Sequence, residues 1–215
     1  AGLLCGDCTS GYAIHPEVPQ RIASFYPDTK LFIIVRHPLR RLLAEYEALR
    51  QIDAAATRGT AAEYLAHHPD LQRRSDYGAQ LERFFAYYSP LQLYILTYED
   101  LVADPLGVMG NLYDYYGVDK NFIPKRLRPY ASPPDEPKHR SLIAKPFVLV
   151  RKLYKKLTYR APEPVFPPEV DIRRWLSAEE ESLFLQAYIP DARHLSTFMS
   201  RDMVVAWNLA SEPDA

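Results

Sequence analysis

The sequence has none of the long apolar runs or strong basic charge that mark membrane proteins and nucleic-acid-binding proteins. Its longest apolar runs, such as residues 31–35 and 147–150, have four or five residues, whereas a helix that crosses a bilayer needs about 20. The formal net charge at pH 7 is -1, and a dedicated nucleic-acid-binding domain is normally distinctly basic. We therefore expect no transmembrane segment and no nucleic-acid partner.

Cysteine is also scarce, because Cys5 and Cys8 are the only two in the chain. A C-x-x-C pair can be a redox dithiol or half of a zinc site. Zinc would need two further ligands, and the histidines show no tight i, i+4 pair that would supply them. The residues after Cys8 have the composition of a loop, not of the helix that a thioredoxin-like site requires. We expect neither a metal site nor a functional dithiol.

The N-terminus has neither the basic start nor the long apolar stretch of a secretory signal. The first residue is Ala1 instead of methionine. We therefore expect the chain to be an N-terminally truncated part of a longer product.

The composition is that of a folded protein. Of the 215 residues, 47% are hydrophobic and 25% are charged, which excludes a disordered or fibrous chain. We expect one domain that spans residues 1–215.

Two short apolar segments, residues 30–36 and 91–97, are typical of strands buried on both faces of a parallel sheet. Pro38 follows the first strand and suits the first turn of a helix. Apolar residues then recur at helical spacing, and further helices are predicted over 76–88 and from Pro105 to a stop at Gly117. Helices between buried strands predict an α/β fold with a central parallel sheet flanked by helices.

The second half of the chain is predicted to be mainly helical. Proline-rich loops over 124–137 and 161–168 flank a basic amphipathic helix over 142–157. Ser177 and Glu180 have the spacing of a capping box, which opens a helix through Tyr188. A separate helix is predicted over 191–198, so the C-terminal part is helical.

Arg36 is the first candidate for a functional residue. Ligands of open α/β sheets bind outside the carboxyl ends of the strands, and Arg36 lies at such an end, directly before a helix. Free backbone N–H groups and the helix dipole favour an anion there, and a guanidinium adds bidentate phosphate recognition. Arg40 and Arg41 add positive charge, although Arg36 pairing with an acid at the sheet edge is an equal alternative.

Several segments, in this order and spacing, resemble those of sulfotransferases that use 3′-phosphoadenosine 5′-phosphosulfate (PAPS). Residues 27–46 are similar to the family's 3′-phosphate-binding strand, turn and helix, with the pattern P-x-A-K-(apolar)-R-(N/D)-P-x-x-R-x-x-S-x-Y. The other segments resemble the family's lead-in, its R-G-x-Y…Q-L-E-R segment, its Y-E-D-L-x-x-D-P turn and its closing tryptophan: residues 6–22, 74–83, 98–105 and Trp207.

The resemblance implies a P-loop-like sulfotransferase fold that binds PAPS as co-substrate, with no metal. By position, Arg36 and residue 44 would hold the 3′-phosphate, and Tyr77 would lie near the nucleotide. The family often folds a basic loop over the nucleotide, which assigns Lys138 and Arg140 to the cofactor site. The alternatives are contact with an anionic acceptor such as a glycan, contact with an anionic membrane surface, or a solvated face of the basic segment. The sulfuryl group would pass to a hydroxyl or amine of a glycan or small molecule.

The chain departs from the family pattern at three places. The family's serine is Ala44 here, which removes one hydroxyl donor to the 3′-phosphate. The usual Asn or Asp after the arginine is His37. No P-x-x-G-(S/T)-(S/T) loop for the 5′-phosphosulfate occurs in the sequence, so the strand over 31–35 is expected to have an unpaired apolar edge unless another segment covers it.

Three residues are candidates for the catalytic base. Asp7 stands where the family has a glutamate, after a predicted short strand over 3–5, although a turn-forming aspartate is an equal alternative. His15 and His37 lie near the same edge of the predicted sheet, although a structural role is the more common one for a lone histidine.

The sequence leaves three functions open. A PAPS-dependent sulfotransferase is the first. The second is a non-catalytic sulfotransferase-like remnant or subunit that binds a nucleotide, glycan or protein. A nucleotide or sugar kinase is disfavoured because no Walker lysine or evident magnesium motif is present. Cytoplasmic and lumenal members share these motifs; we expect the cytoplasm, with the lumen as the alternative.

Overall fold

The computed structural model describes residues 4–54, 57–123 and 169–210. The predicted loops over 124–137 and 161–168 and the basic helix over 142–157 lie outside the described residues. The strands are β1 (Leu31–Val35) and β2 (Leu93–Thr97). The helices are α1 (Val18–Phe25), α2 (Pro38–Ile52), α3 (Ala61–Ala66), α4 (Pro69–Arg73), α5 (Tyr77–Phe85), α6 (Tyr98–Ala103), α7 (Pro105–Tyr116), α8 (Ala178–Ser196) and α9 (Met203–Ala206).

The predicted parallel sheet is confirmed. β1 pairs with β2 in parallel, in a register that runs from Leu31 beside Leu93 to Val35 beside Thr97. The carboxyl ends of both strands therefore meet at one edge, as parallel pairing requires. Among the described residues the sheet has these two strands alone, and Phe32 and Ile34 of β1 are 37% and 44% exposed.

The tight connection from β1 to α2 is also as predicted. Pro38 opens α2, and the residues at helical spacing face the core, where Leu39, Leu42, Leu43 and Tyr46 are fully buried. The same core takes in Leu81 of α5, Leu195 of α8 and Met203 of α9. α2 is thus fixed between the sheet and the C-terminal helices, which holds its N-terminus at the sheet edge.

α8 corrects the prediction of two separate helices, because it continues through Pro190 without a break. A proline inside a helix removes one backbone hydrogen bond and normally bends or ends the helix. Here Tyr188, Ala192 and Leu195 form one buried face across the proline. We attribute the continuity to this packing, because tertiary burial supplies most of the stability of helices in proteins.

α5 and α8 approach each other closely. A Cβ on Gly78 would lie 2.8 Å from the Cβ of His194 and 2.9 Å from the backbone oxygen of Asp191. The Asp191 carboxylate accepts hydrogen bonds from the N–H groups of Gly78 and Ala79, at 3.0 and 3.1 Å. α8 therefore caps the N-terminus of α5 across the interface.

Other elements differ from the predictions in smaller ways. α6 was not predicted; it begins where the Thr97 side chain accepts a hydrogen bond from the backbone N–H of Asp100. The short strand expected over 3–5 is absent from the described residues 4–9. In the described parts of the chain, no helix combines the length and the apolar character needed to span a bilayer.

Candidate anion-binding site

Arg36 lies directly after β1, at the carboxyl edge of the sheet, and is half-buried. Its guanidinium carbon lies 4.5 Å from the centre of the Tyr98 ring. Its Nε is buried without a hydrogen-bond partner, and none of the ion pairs between described residues includes Arg36. Since an arginine stays charged, this site holds a half-buried cation that lacks a counter-ion among those residues.

The backbone amides of the turn are already engaged. The N–H of Arg36 donates to the hydroxyl of Tyr77 at 3.3 Å. The N–H of His37 donates to a carboxylate oxygen of Glu99 at 2.9 Å. The expectation that free amides at this helix start would cradle an anion is therefore not met at these two residues, which leaves the guanidinium as the candidate anion contact.

Tyr77 supports the turn from α5. It is buried, and burial raises the pKa of its phenol to about 12, so the hydroxyl is neutral. The structure thus brings together Arg36 and Tyr77, which the sequence assigned to the same site. The contact of Tyr77 with a nucleotide stays a prediction.

His37 caps α2 in place of the family's Asn or Asp. Its Nδ1 accepts a hydrogen bond from the backbone N–H of Arg40 at 3.5 Å. Burial, with the nearby charge of Arg40, lowers the pKa of the imidazole to about 4. The ring is therefore neutral at pH 7 and keeps the lone pair that the cap requires.

The two arginines of the first turn of α2 have different surroundings. Arg41 donates to the Ser75 hydroxyl, the Leu71 carbonyl and the Glu45 carboxylate. These bonds occupy its guanidinium, so Arg41 ties α2 to the segment before α5. Arg40 forms an ion pair with Glu169, and its Nε is buried without a hydrogen-bond partner.

Two of the candidate bases, Asp7 and His15, lie in the exposed N-terminal segment and make local contacts. The Tyr12 hydroxyl donates to the Asp7 carboxylate at 2.7 Å. The backbone N–H of Glu17 donates to Nδ1 of His15 at 3.3 Å. Arg83 of α5 ties the segment down by donating to the carbonyl of Ala13 at 3.0 Å.

The remaining candidate residues are Ala44, Lys138 and Arg140. Ala44 lies half-buried on α2, and its methyl group offers no hydrogen-bond donor. Lys138 and Arg140 lie outside the described residues. Cys5 and Cys8 are exposed free thiols, and no group of three or more metal-ligating side chains occurs in the described ranges.

Sequence reasoning missed Glu99. Its carboxylate accepts from the N–H of His37 and, at 3.4 Å, from the indole N–H of Trp207. The Y-E-D-L segment and the closing tryptophan were each noted as motifs. Nothing in the sequence showed that they meet at the turn after Arg36.

Comparison with known proteins shows which family this chain resembles. A model of the sulfotransferase family matches residues 15–122. Mouse heparan sulfate glucosamine 3-O-sulfotransferase 6 is 28% identical over 132 residues, which cover 56% of this chain and 39% of the relative. Mouse bifunctional heparan sulfate N-deacetylase/N-sulfotransferase 4 is 32% identical over 126 residues, which cover 53% of this chain and 14% of the relative.

A crystal structure of a sulfotransferase from Alicyclobacillus acidocaldarius has a similar fold. The TM-score is 0.60 at 19% identity, over 92% of this chain and 65% of the other. The chain spans less than half the length of the two curated relatives above. The family match covers the strand, turn and helix around Arg36, Tyr77 in α5 and Glu99 in α6, and the chain belongs to the sulfotransferase family.

Proposed function

We propose that this protein is a PAPS-dependent sulfotransferase that transfers a sulfuryl group to a hydroxyl or amine of a glycan or small molecule. The observation that carries the proposal is the half-buried guanidinium of Arg36 at the carboxyl edge of the sheet, which has no counter-ion among the described residues. Burying a charge without a partner is costly, and a phosphate dianion would supply that partner. In this proposal the group bound there is the 3′-phosphate of PAPS.

The reaction needs little covalent assistance from the protein, much as in phosphoryl transfer. A lone pair of the acceptor oxygen or nitrogen forms the new bond to sulfur. The bond between sulfur and the bridging oxygen of the phosphosulfate breaks, and its electron pair stays on that oxygen. The acceptor proton passes to a base, and adenosine 3′,5′-bisphosphate leaves.

Asp7 is a better candidate for that base than His15. The Asp7 carboxylate accepts one hydrogen bond from Tyr12 and keeps further lone pairs for the acceptor proton. His15 accepts a bond at Nδ1, so its neutral ring carries its proton on Nε2 and has no free lone pair there. We assign the base to Asp7 and a positioning role to His15.

The names of two relatives support a glycan acceptor, because both include heparan sulfate. We propose a glycan acceptor for the present chain as well. The basic residues Lys138 and Arg140 are proposed to contact the bound nucleotide, and the proposed compartment is the cytoplasm.

A second candidate is a non-catalytic sulfotransferase-like protein that binds a nucleotide, glycan or protein partner. Ala44 favours it, because the position that carries a hydroxyl in the family pattern has none here. Loss of one hydrogen bond to a charged group costs about 1.5–3 kcal/mol, which weakens the 3′-phosphate site.

Two measurements on one preparation separate these candidates. The first is transfer of radioactive sulfate from labelled PAPS to desulfated heparan sulfate and to a small phenol. The second is calorimetric titration with adenosine 3′,5′-bisphosphate. Binding with transfer supports the sulfotransferase, and binding without transfer to any acceptor supports the non-catalytic protein. A folded sample that does not bind the bisphosphate contradicts the nucleotide site itself.

A further inference from the structure

Glu99 joins three distant parts of the chain at the turn after β1. It lies in the first turn of α6, directly beyond the carboxyl end of β2. Its Oε1 accepts from the backbone N–H of His37 at 2.9 Å, across 62 residues of sequence, and its Oε2 accepts from the indole N–H of Trp207 at 3.4 Å, across 108 residues. Each carboxylate oxygen thus holds a different element.

Trp207 contacts both Glu99 and Tyr77, the residue that holds the other amide of the turn. The indole is buried, and its ring centre lies 6.3 Å from that of His37 and 6.1 Å from that of Tyr77. Tyr77 in turn accepts the hydrogen bond from the N–H of Arg36. The two consecutive amides of the turn are therefore held by Glu99 and Tyr77, which pack against the same indole or bond to it.

We propose that Glu99 is a positioning residue for the anion site, which fixes the turn so that the Arg36 guanidinium faces the edge of the sheet. The proposal rests on the proposed function, in which Arg36 binds the 3′-phosphate. Bidentate recognition of a phosphate needs a defined guanidinium orientation. Loosening the turn should therefore weaken binding of the 3′-phosphate more than binding of the rest of the nucleotide.

The chemistry of the two bonds explains why a carboxylate is required. A carboxylate accepts both hydrogen bonds, whereas a glutamine offers one oxygen and a donor NH₂ group. In Glu99→Gln, the NH₂ group must face either the indole N–H or the His37 N–H, and two donors then oppose each other. Removing the indole donor with Trp207→Phe relieves this conflict, so the second substitution should rescue the first.

The chain contains a matched control. Glu47 of α2 accepts a hydrogen bond from the indole N–H of Trp175 at 2.6 Å. Glu47→Gln makes the same chemical change against the same kind of donor, at a pair that has no bond to the turn. A general effect of losing a carboxylate–indole bond would appear in both variants.

The binding test uses calorimetric titration of the full chain with adenosine 3′,5′-bisphosphate and with 5′-AMP. Glu99→Gln should weaken binding of the bisphosphate about tenfold, the effect expected for one such hydrogen bond, and leave 5′-AMP binding unchanged. The double variant should bind the bisphosphate within about twofold of Trp207→Phe, and Glu47→Gln should bind it like the wild type. Wild-type affinity in Glu99→Gln, or no rescue in the double variant, overturns the proposal.

Amide hydrogen exchange tests the positioning role without any ligand. Exchange at the His37 N–H should be faster in Glu99→Gln than in the wild type, slow again in the double variant and unaffected by Glu47→Gln. If the wild type fails to bind the bisphosphate, the proposed function falls, and the exchange rates still decide the role of Glu99. Unchanged exchange at the His37 N–H in Glu99→Gln would overturn the positioning role of Glu99.

Discussion

At the scale of single residues, His37 differs from the Asn or Asp of the family pattern but still caps the N-terminus of α2. The imidazole lone pair caps α2 as an Asn or Asp oxygen would. Replacing His37 by Ala removes the cap, and we expect the free energy of unfolding to fall by about 1 kcal/mol. His37→Asn keeps an acceptor and should stay near the wild type. Urea unfolding at pH 7.5 measures both variants, and equal losses would contradict the capping role.

The buried imidazole of His37 should also make the free energy of unfolding depend on pH. The pKa of His37 is about 4 in the folded protein against 6.5 for an unperturbed histidine, so the unfolded chain binds the proton more readily. The stability of the fold that depends on a neutral His37 is therefore complete above pH 6.5 and is lost as the pH falls towards 4. The loss amounts to about 3 kcal/mol.

His37→Asn has no group that titrates in this range and therefore serves as the reference. Urea unfolding of both proteins between pH 7.5 and 4 should show a steeper loss of stability in the wild type. Parallel profiles would mean that the buried imidazole is protonated as easily in the folded chain as in the unfolded one.

At Ala44, the family resemblance predicts that a substitution will strengthen nucleotide binding. Ala44→Ser restores the hydroxyl of the family pattern, and a hydrogen bond to a charged group contributes about 1.5–3 kcal/mol. We expect the affinity for adenosine 3′,5′-bisphosphate to rise at least about tenfold, with 5′-AMP unchanged. Ala48→Ser, one turn further along α2 and exposed, is the control. An equal effect of both substitutions would place the phosphate elsewhere.

At the scale of secondary-structure elements, the contact between α5 and α8 holds Tyr77 under the turn. Gly78→Ala would place a Cβ 2.8 Å from that of His194 and 2.9 Å from the backbone nitrogen of Leu195. Helix backbone yields less than a flexible side chain does, so we expect a loss of stability of about 1–3 kcal/mol.

Gly110 provides the comparison for Gly78, because it also lies inside a helix. A Cβ there has its nearest neighbour, the backbone oxygen of Lys120, at 3.4 Å. Gly110→Ala should be neutral or stabilising by up to about 1 kcal/mol. Thermal unfolding compares the two variants, and equal stability would show that α5 and α8 can move apart at no cost.

The elements themselves were predictable where the signal is local. The apolar run over 31–35, Pro38 after the turn and the left-handed Gly117, with φ 73°, are read from a few neighbouring residues. The continuous α8 was not predictable, because Pro190 is a strong local stop signal. Its buried face and the cap that Asp191 gives to α5 depend on tertiary packing.

At the scale of the whole molecule, the sequence located one side of the candidate site. Arg36 and Tyr77 follow from the strand, turn and helix pattern and from the family resemblance. Glu99 and Trp207 reach the turn from 62 and 108 residues away, and no local pattern shows which distant side chain meets which amide. Because the backbone N–H groups of Arg36 and His37 are already hydrogen-bonded, the expected anion contact is the Arg36 guanidinium instead of the backbone at the helix start.

The measurement that tests the proposed role of Arg36 most directly compares two nucleotides on the wild type and two variants. Wild type and Arg36→Ala are titrated by calorimetry with adenosine 3′,5′-bisphosphate and with 5′-AMP, with Arg73→Ala, a surface arginine paired with Asp70, as the control. We predict that the wild type and the control prefer the bisphosphate by at least about tenfold, and that Arg36→Ala binds both nucleotides equally. A preference for the bisphosphate that survives in Arg36→Ala would contradict it.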